Sequence, residues 1–175
     1  MAHGADTRIV AAARRALYGT RERIAGTIYG TIVALGVLAA GSEGAQIDAW
    51  ALDVIMVATV VVLWIAHVYA HALAESITGG LPLDLAAARR LAHRESSIVL
   101  AAAGPALVLL LGVFGVLSDE AAVWHAQALG VVVLTAQGVR YAQITGLGIL
   151  ATLLVVGVNL GLGLVIVGLK AALQH

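Results

Sequence analysis

Three side chains stand at a spacing that could do chemistry: His67, His71 and Glu75. Steps of four residues put successive side chains on one stripe of an α-helix, drifting by about 40° at each step. Two imidazoles one turn apart can share a divalent metal, and a carboxylate one turn further on can complete or polarise that site. The same geometry suits a proton relay, because imidazole titrates near neutral pH. His93 and Glu95 lie at the same level and could join the group. A plainer reading stands beside these. Trp64 and Tyr69 flank the histidines, and rings with a polar tip also gather in belts at membrane interfaces.

The elements that must carry this stripe follow from composition. Of 175 residues, 61% are hydrophobic and 11% are charged, where a soluble domain has nearer a quarter charged. A single small domain over 1–175 with that balance cannot cover its surface with polar groups, so its solvent is a lipid bilayer. Zero net charge argues against a nucleic-acid partner, which calls for basic excess. No cysteine is present, which rules out disulfides, thiolate metal sites and cysteine nucleophiles. Arginine outnumbers lysine nine to one amid abundant Ala, Val, Leu and Gly, a composition that suggests GC-rich coding and a bacterial inner membrane.

Crossing the hydrocarbon core takes about 20 mostly apolar residues. Five runs qualify, at 24–40, 50–74, 97–117, 121–139 and 144–173, and predict an all-α bundle. Ahead of them, Ile9, Val10, Ala13 and Leu17 recur at helical spacing within Asp6–Thr20, with Arg8, Arg14 and Arg15 on other faces, which predicts an amphipathic helix on the membrane surface. No signal peptide or lipidation motif is expected. Gly41–Ala49 and Thr78–Pro82 read as loops, Asp84–Glu95 as a short charged helix capped by Asp84, and Ser118–Glu120 and Arg140–Gln143 as tight turns. Gly104–Pro105 should kink or break its helix.

Basic residues give the orientation. Arg8, Arg14, Arg15, Arg21 and Arg23 precede the first span, Arg89, Arg90 and Arg94 follow the second, and Arg140 follows the fourth. The other two loops carry acids and neither Lys nor Arg. Since Lys and Arg stay in the cytoplasm, the N-terminus is expected inside, and five crossings put the C-terminus outside.

Two further ionisable or amide groups fall inside the spans, Asp53 and Asn159. Asp53 shares the His71 stripe, with Val57, Val60 and Trp64 between them, so the second span has polar ends and a dry middle. Thr27, Tyr29, Thr31, Gln137 or Asn159 would have to bridge it for an ion to pass. Asn159 also suits an interhelical hydrogen bond that fixes packing. His125 starts the fourth span on the opposite side from His67, which weakens a three-histidine or haem site. With no Ser–His or paired-carboxylate arrangement at matched depth, an enzyme is not expected. GxxxG pairs at Gly26/Gly30 and Gly157/Gly161 mark packing seams, the second a candidate for self-association.

The run R-x-x-x-x-x-Y-G at Arg23–Gly30, W-x-x-H-x-Y-A at Trp64–Ala70 and G-L-K at Gly168–Lys170 resemble small bacterial multi-pass membrane proteins without an assigned activity. Gly30–Thr31–Ile32–Val33 is also similar to the first span of the vacuolar iron transporter family, which has five spans; Tyr29 stands near where that family carries an acid. The resemblance implies a divalent metal as one candidate ligand. The expected function is transport, conduction or sensing of a small cation, proton or divalent metal, by a homo-oligomer. The alternative is an accessory subunit that assembles with a larger membrane protein and transports nothing.

Overall fold

Backbone groups inside a bilayer find no water, so each crossing must close its own hydrogen bonds, and helices do this. The computed structural model describes residues 3–41, 48–79 and 84–173, with side chains over 21–41, 48–79 and 84–168. The described residues form α1 (His3–Gly41), α2 (Ala49–Gly79), α3 (Leu85–Arg94), α4 (Ser97–Val113), α5 (Asp119–Thr145) and α6 (Ile149–Leu173), with no strand among them. Arg21–Gly41, α2, α5 and Ile149–Gly168 are each long and apolar enough to cross a membrane. α3 and α4, bent by 46° across Glu95–Ser96, pass the same test only as a pair, so the described helices allow four crossings, or five with that pair counted. The chain is an all-α, multi-pass membrane bundle.

Capping sets several helix ends. The Asp48 carboxylate accepts from the Trp50 and Ala51 N–H groups at 2.9 and 3.3 Å and starts α2. Asp84 accepts from Ala86 N–H at 3.1 Å and starts the short charged α3, as its spacing predicts. Ser118 accepts from Ala121 N–H at 3.2 Å, and Asp119 and Glu120 occupy the first turn of α5, where the helix dipole favours negative charge.

Three expectations need correction. The turn expected at Arg140–Gln143 is helix: those four residues include neither Gly nor Pro, and α5 continues to Thr145, where Gly146 at φ 64° ends it in the left-handed region. The third span stops at Val113 instead of Leu117, because Gly115 at φ 71° turns the chain there. Gly104–Pro105 does not break α4. Gly104 has no Cβ to meet the proline ring, and the bend falls upstream, between α3 and α4. At the N-terminal end the helix expected over Asp6–Thr20 is continuous with the first span, and the polarity of its faces lies outside the described side chains. The loops expected at Gly41–Ala49 and Thr78–Pro82 lie mostly outside the described residues.

α1 is the hub, packing on α2, α4, α5 and α6. Its GxxxG pair forms the seam with α4. A Cβ at Gly26 would strike the Ser97 hydroxyl, and one at Gly30 would strike the Ile98 carbonyl and come within 2.9 Å of the Ala101 Cβ. The core of Leu38, Met56, Val60, Ile98, Leu109 and Val123 is fully buried. Arg23, His93 and Arg140, from three separate segments, line one crevice, so basic residues from α1, α3 and α5 share one end of the bundle. α6 is the outermost crossing. It packs on α5 through Asn159 and Gly163, also touches α1, and leaves Leu150, Leu153, Leu154 and Val158 exposed.

Candidate functional site

The candidate site lies at the arginine-bearing end, where α2 meets α1 and the α3–α4 bend. Four-residue spacing places the rings of His67 and His71 with centroids 4.3 Å apart, tilted by 47°. In the tautomer protonated at Nδ1, His71 donates to the His67 carbonyl oxygen at 3.2 Å, which leaves its Nε2 free to accept a proton or a cation. Tyr29 of α1 closes the other side of His67, at a ring separation of 6.0 Å.

The acid that completes the group is Glu95. It sits at the break between α3 and α4, where its N–H donates to the Leu91 carbonyl at 2.9 Å and closes α3. That position drives the side chain inward: Glu95 is only 8% exposed, and its Oε2 lies 3.7 Å from His67 Nε2. A buried carboxylate needs a positive partner or hydrogen bonds to offset lost hydration. His67 becomes that partner when protonated. Of the two residues that sequence spacing offered as recruits, Glu95 joins. His93 points elsewhere and lines crevices with Trp64, Arg89 and Arg23.

Glu22 and Arg94 form the rim. The Arg94 guanidinium donates to both Glu22 carboxylate oxygens, so α1 is bound to α3 beside the histidines. The Glu22 hydrogen bond holds the Arg94 pKa above its ordinary value against the opposing effect of burial, so Arg94 stays charged. Trp64 adds a second tie by donating from Nε1 to the Ala92 carbonyl at 3.3 Å. Glu22, Tyr29, His67, His71 and Glu95 together line a crevice of about 310 Å³.

Glu75 is exposed, does not line this crevice, and acts through space on Arg94. Among the described residues no group of three His, Asp or Glu side chains is set to hold a metal ion. Asp53 is buried near the far end of α2, about 21 Å along the helix from His67 at 1.5 Å per residue, and its Oδ1 has no hydrogen-bond partner among the described residues. Between the two, Met56 and Val60 are fully buried with Ala34, Leu38, Ala102 and Leu109, so the middle of the bundle is apolar there. Asn159 is buried against Gly138 of α5, but its amide donates to Val155 of its own helix at 2.9 Å, so the interhelical bond expected of it is not made. The helix carbonyl one turn away is the nearer acceptor. His125 Nδ1 lies 2.6 Å from the Ala121 carbonyl at the start of α5, apart from the other histidines.

Sequence reasoning missed the Glu22–Arg94 pair, whose partners are 72 residues apart, and it missed Gln127. Gln127 is 1% exposed, with neither amide atom hydrogen-bonded among the described residues. A polar residue inside an apolar run was the available signal. No protein-family model, curated protein or solved structure matches the chain.

Proposed function

We propose that this membrane protein senses a small cation, the proton first, through His67, His71 and Glu95 at its arginine-bearing end. The observation that carries the reading is the 3.7 Å separation between His67 Nε2 and the buried Glu95 carboxylate. Proton uptake turns that contact into an ion pair between α2 and the α3–α4 bend. Proton loss leaves the Glu95 carboxylate with Arg94 as the nearby positive charge. The apolar layer around Met56 and Val60 favours sensing over conduction by a single chain. Glu22 and Tyr29 on α1, His71 and Glu75 on α2, and His93 and Arg94 on α3 are the other titratable or charged groups nearby, and each belongs in the same test.

A cysteine-free chain allows the test directly. Spin labels on a pair of cysteines introduced at the exposed Ile77 of α2 and Arg90 of α3 report the distance between these helices in lipid nanodiscs. The distance distribution should narrow as the pH is lowered from 8 to 5. His67→Gln and Glu95→Gln should each abolish the change. A wild-type distribution that does not move between pH 5 and pH 8 rejects the reading.

A second reading, an accessory subunit or homo-oligomer, draws support from α6. Gly157 and Gly161 have open space above them, whereas Gly163 packs on Val131. Small residues let a second helix approach closely. Gly157→Leu should then shift the assembly toward monomer in mild detergent. A strictly monomeric wild type removes this reading.

A further inference from the structure

A second crevice, of about 560 Å³, opens between α1, α4 and α5 at the same end. That volume lies within the roughly 300–1,000 Å³ range of small-molecule sites. Its mouth carries Arg23, Arg140 and His93, with the hydroxyls of Thr27 and Ser96 beside them. No acidic side chain lines it, and neither arginine has an ion-pair partner among the described residues. On its wall the Ser97 hydroxyl, in a residue 92% buried, has no hydrogen-bond partner among the described residues.

Below the mouth the lining turns apolar, with Leu100, Ala101, Gly104, Leu129 and Val133. The floor at Leu129 lies 11 residues from Arg140 on α5, about 16 Å at 1.5 Å per residue. Half of a hydrocarbon core of about 30 Å is close to that depth. Guanidinium groups match phosphate oxygens in geometry as well as charge. Basic recesses between membrane helices on the arginine-rich side are where anionic headgroups bind. A free phosphate would leave the apolar floor empty, whereas a lipid of that leaflet fills both parts.

We propose that this crevice holds one anionic glycerophospholipid, with its phosphodiester between Arg23 and Arg140 and one acyl chain along the α4–α5 groove to Leu129. The site is separate from the histidine crevice and does not depend on the cation reading.

Native mass spectrometry of the full chain in non-ionic detergent tests this. The probes are phosphatidylglycerol and phosphatidylcholine with identical acyl chains. The wild type should retain one phosphatidylglycerol under conditions that strip phosphatidylcholine. Arg23→Gln with Arg140→Gln should weaken phosphatidylglycerol binding about thirty-fold, on the scale of anionic-surface attraction for two arginines. Gly104→Leu, which fills the groove beside Leu129, should weaken it with the mouth intact. Exposed Arg90→Gln should leave it unchanged. Equal retention of the two lipids by the wild type overturns the proposal, and this readout needs no variant to fold. So does an unchanged affinity in the double variant, an equal loss with Arg90→Gln, or full displacement of phosphatidylglycerol by millimolar inorganic phosphate, which would mark a site for the free anion.

Discussion

Arg94 grips both oxygens of Glu22, so the one side-chain ion pair between α1 and α3 among the described residues sits at the lip of the crevice that holds His67. Arg94 is 52% exposed and Glu22 27%, and water screens much of the attraction. A double-mutant cycle on Glu22→Gln and Arg94→Gln should give a coupling of about 0.5–1 kcal/mol in detergent, falling with added salt. A coupling that salt leaves unchanged would contradict this account of the pair.

The two glycines of the first span differ in what blocks them. At Gly30 the obstacle is the Ile98 backbone carbonyl, which cannot rotate away, and at Gly26 it is the Ser97 hydroxyl, which can. Gly30→Ala should therefore destabilise by about 1–3 kcal/mol and Gly26→Ala by less. Gly36→Ala, with open space above it, should cost nothing from packing. Thermal unfolding of the three variants checks the order, and a Gly36→Ala that is worse than Gly30→Ala would falsify it.

Gln127 buries an amide with no partner among the described residues. Such a group costs about 1–3 kcal/mol relative to an apolar side chain of similar shape. Gln127→Met should raise stability by about 1–2 kcal/mol in a denaturation series. A loss of stability would mean that the amide is bonded, for instance to water.

Zinc should compete with protons for the two imidazoles, since neutral imidazole is the form that binds metal. Binding measured by calorimetry should weaken as the pH is lowered and should fall tenfold or more in His71→Ala. His125→Ala, at the far end of the bundle, should leave it unaltered. The absence of any zinc binding by the wild type removes divalent metal from the cations considered.

Orientation is open to a reporter active only in the cytoplasm. Fused at the N-terminus it should work, and fused at the C-terminus it should fail. Activity at both ends would show an even number of crossings and exclude the α3–α4 pair as a span.

The long apolar helices were legible because hydropathy is a local property: α2, α5 and α6 lie where uninterrupted apolar runs lie. Their ends were less legible. Arg140 and Gln143 lower hydropathy without stopping a helix, and the true stop is the left-handed Gly146. The site divides in the same way. His67 and His71 come together because four-residue spacing is enforced by the helix itself. Glu75 shares that spacing, yet Glu95 is the carboxylate at His67, because a bend between α3 and α4 brings it there from 28 positions away. Asn159 shows the converse limit. Sequence identifies a buried amide but not whether it bonds to a neighbour or to its own helix.

The apolar layer of Met56, Val60, Ala34 and Leu109 has an electrical consequence. A transmembrane voltage falls mainly across the driest, thinnest part of a protein, and moving one charge through 100 mV takes about 2.3 kcal/mol. His67 and Glu95 lie to one side of that layer in an open crevice, so a proton reaching them from their own side crosses almost none of the voltage drop. On the proposed sensing reading, the pH response of the α2–α3 distance should therefore be the same with and without a potential imposed across proteoliposomes.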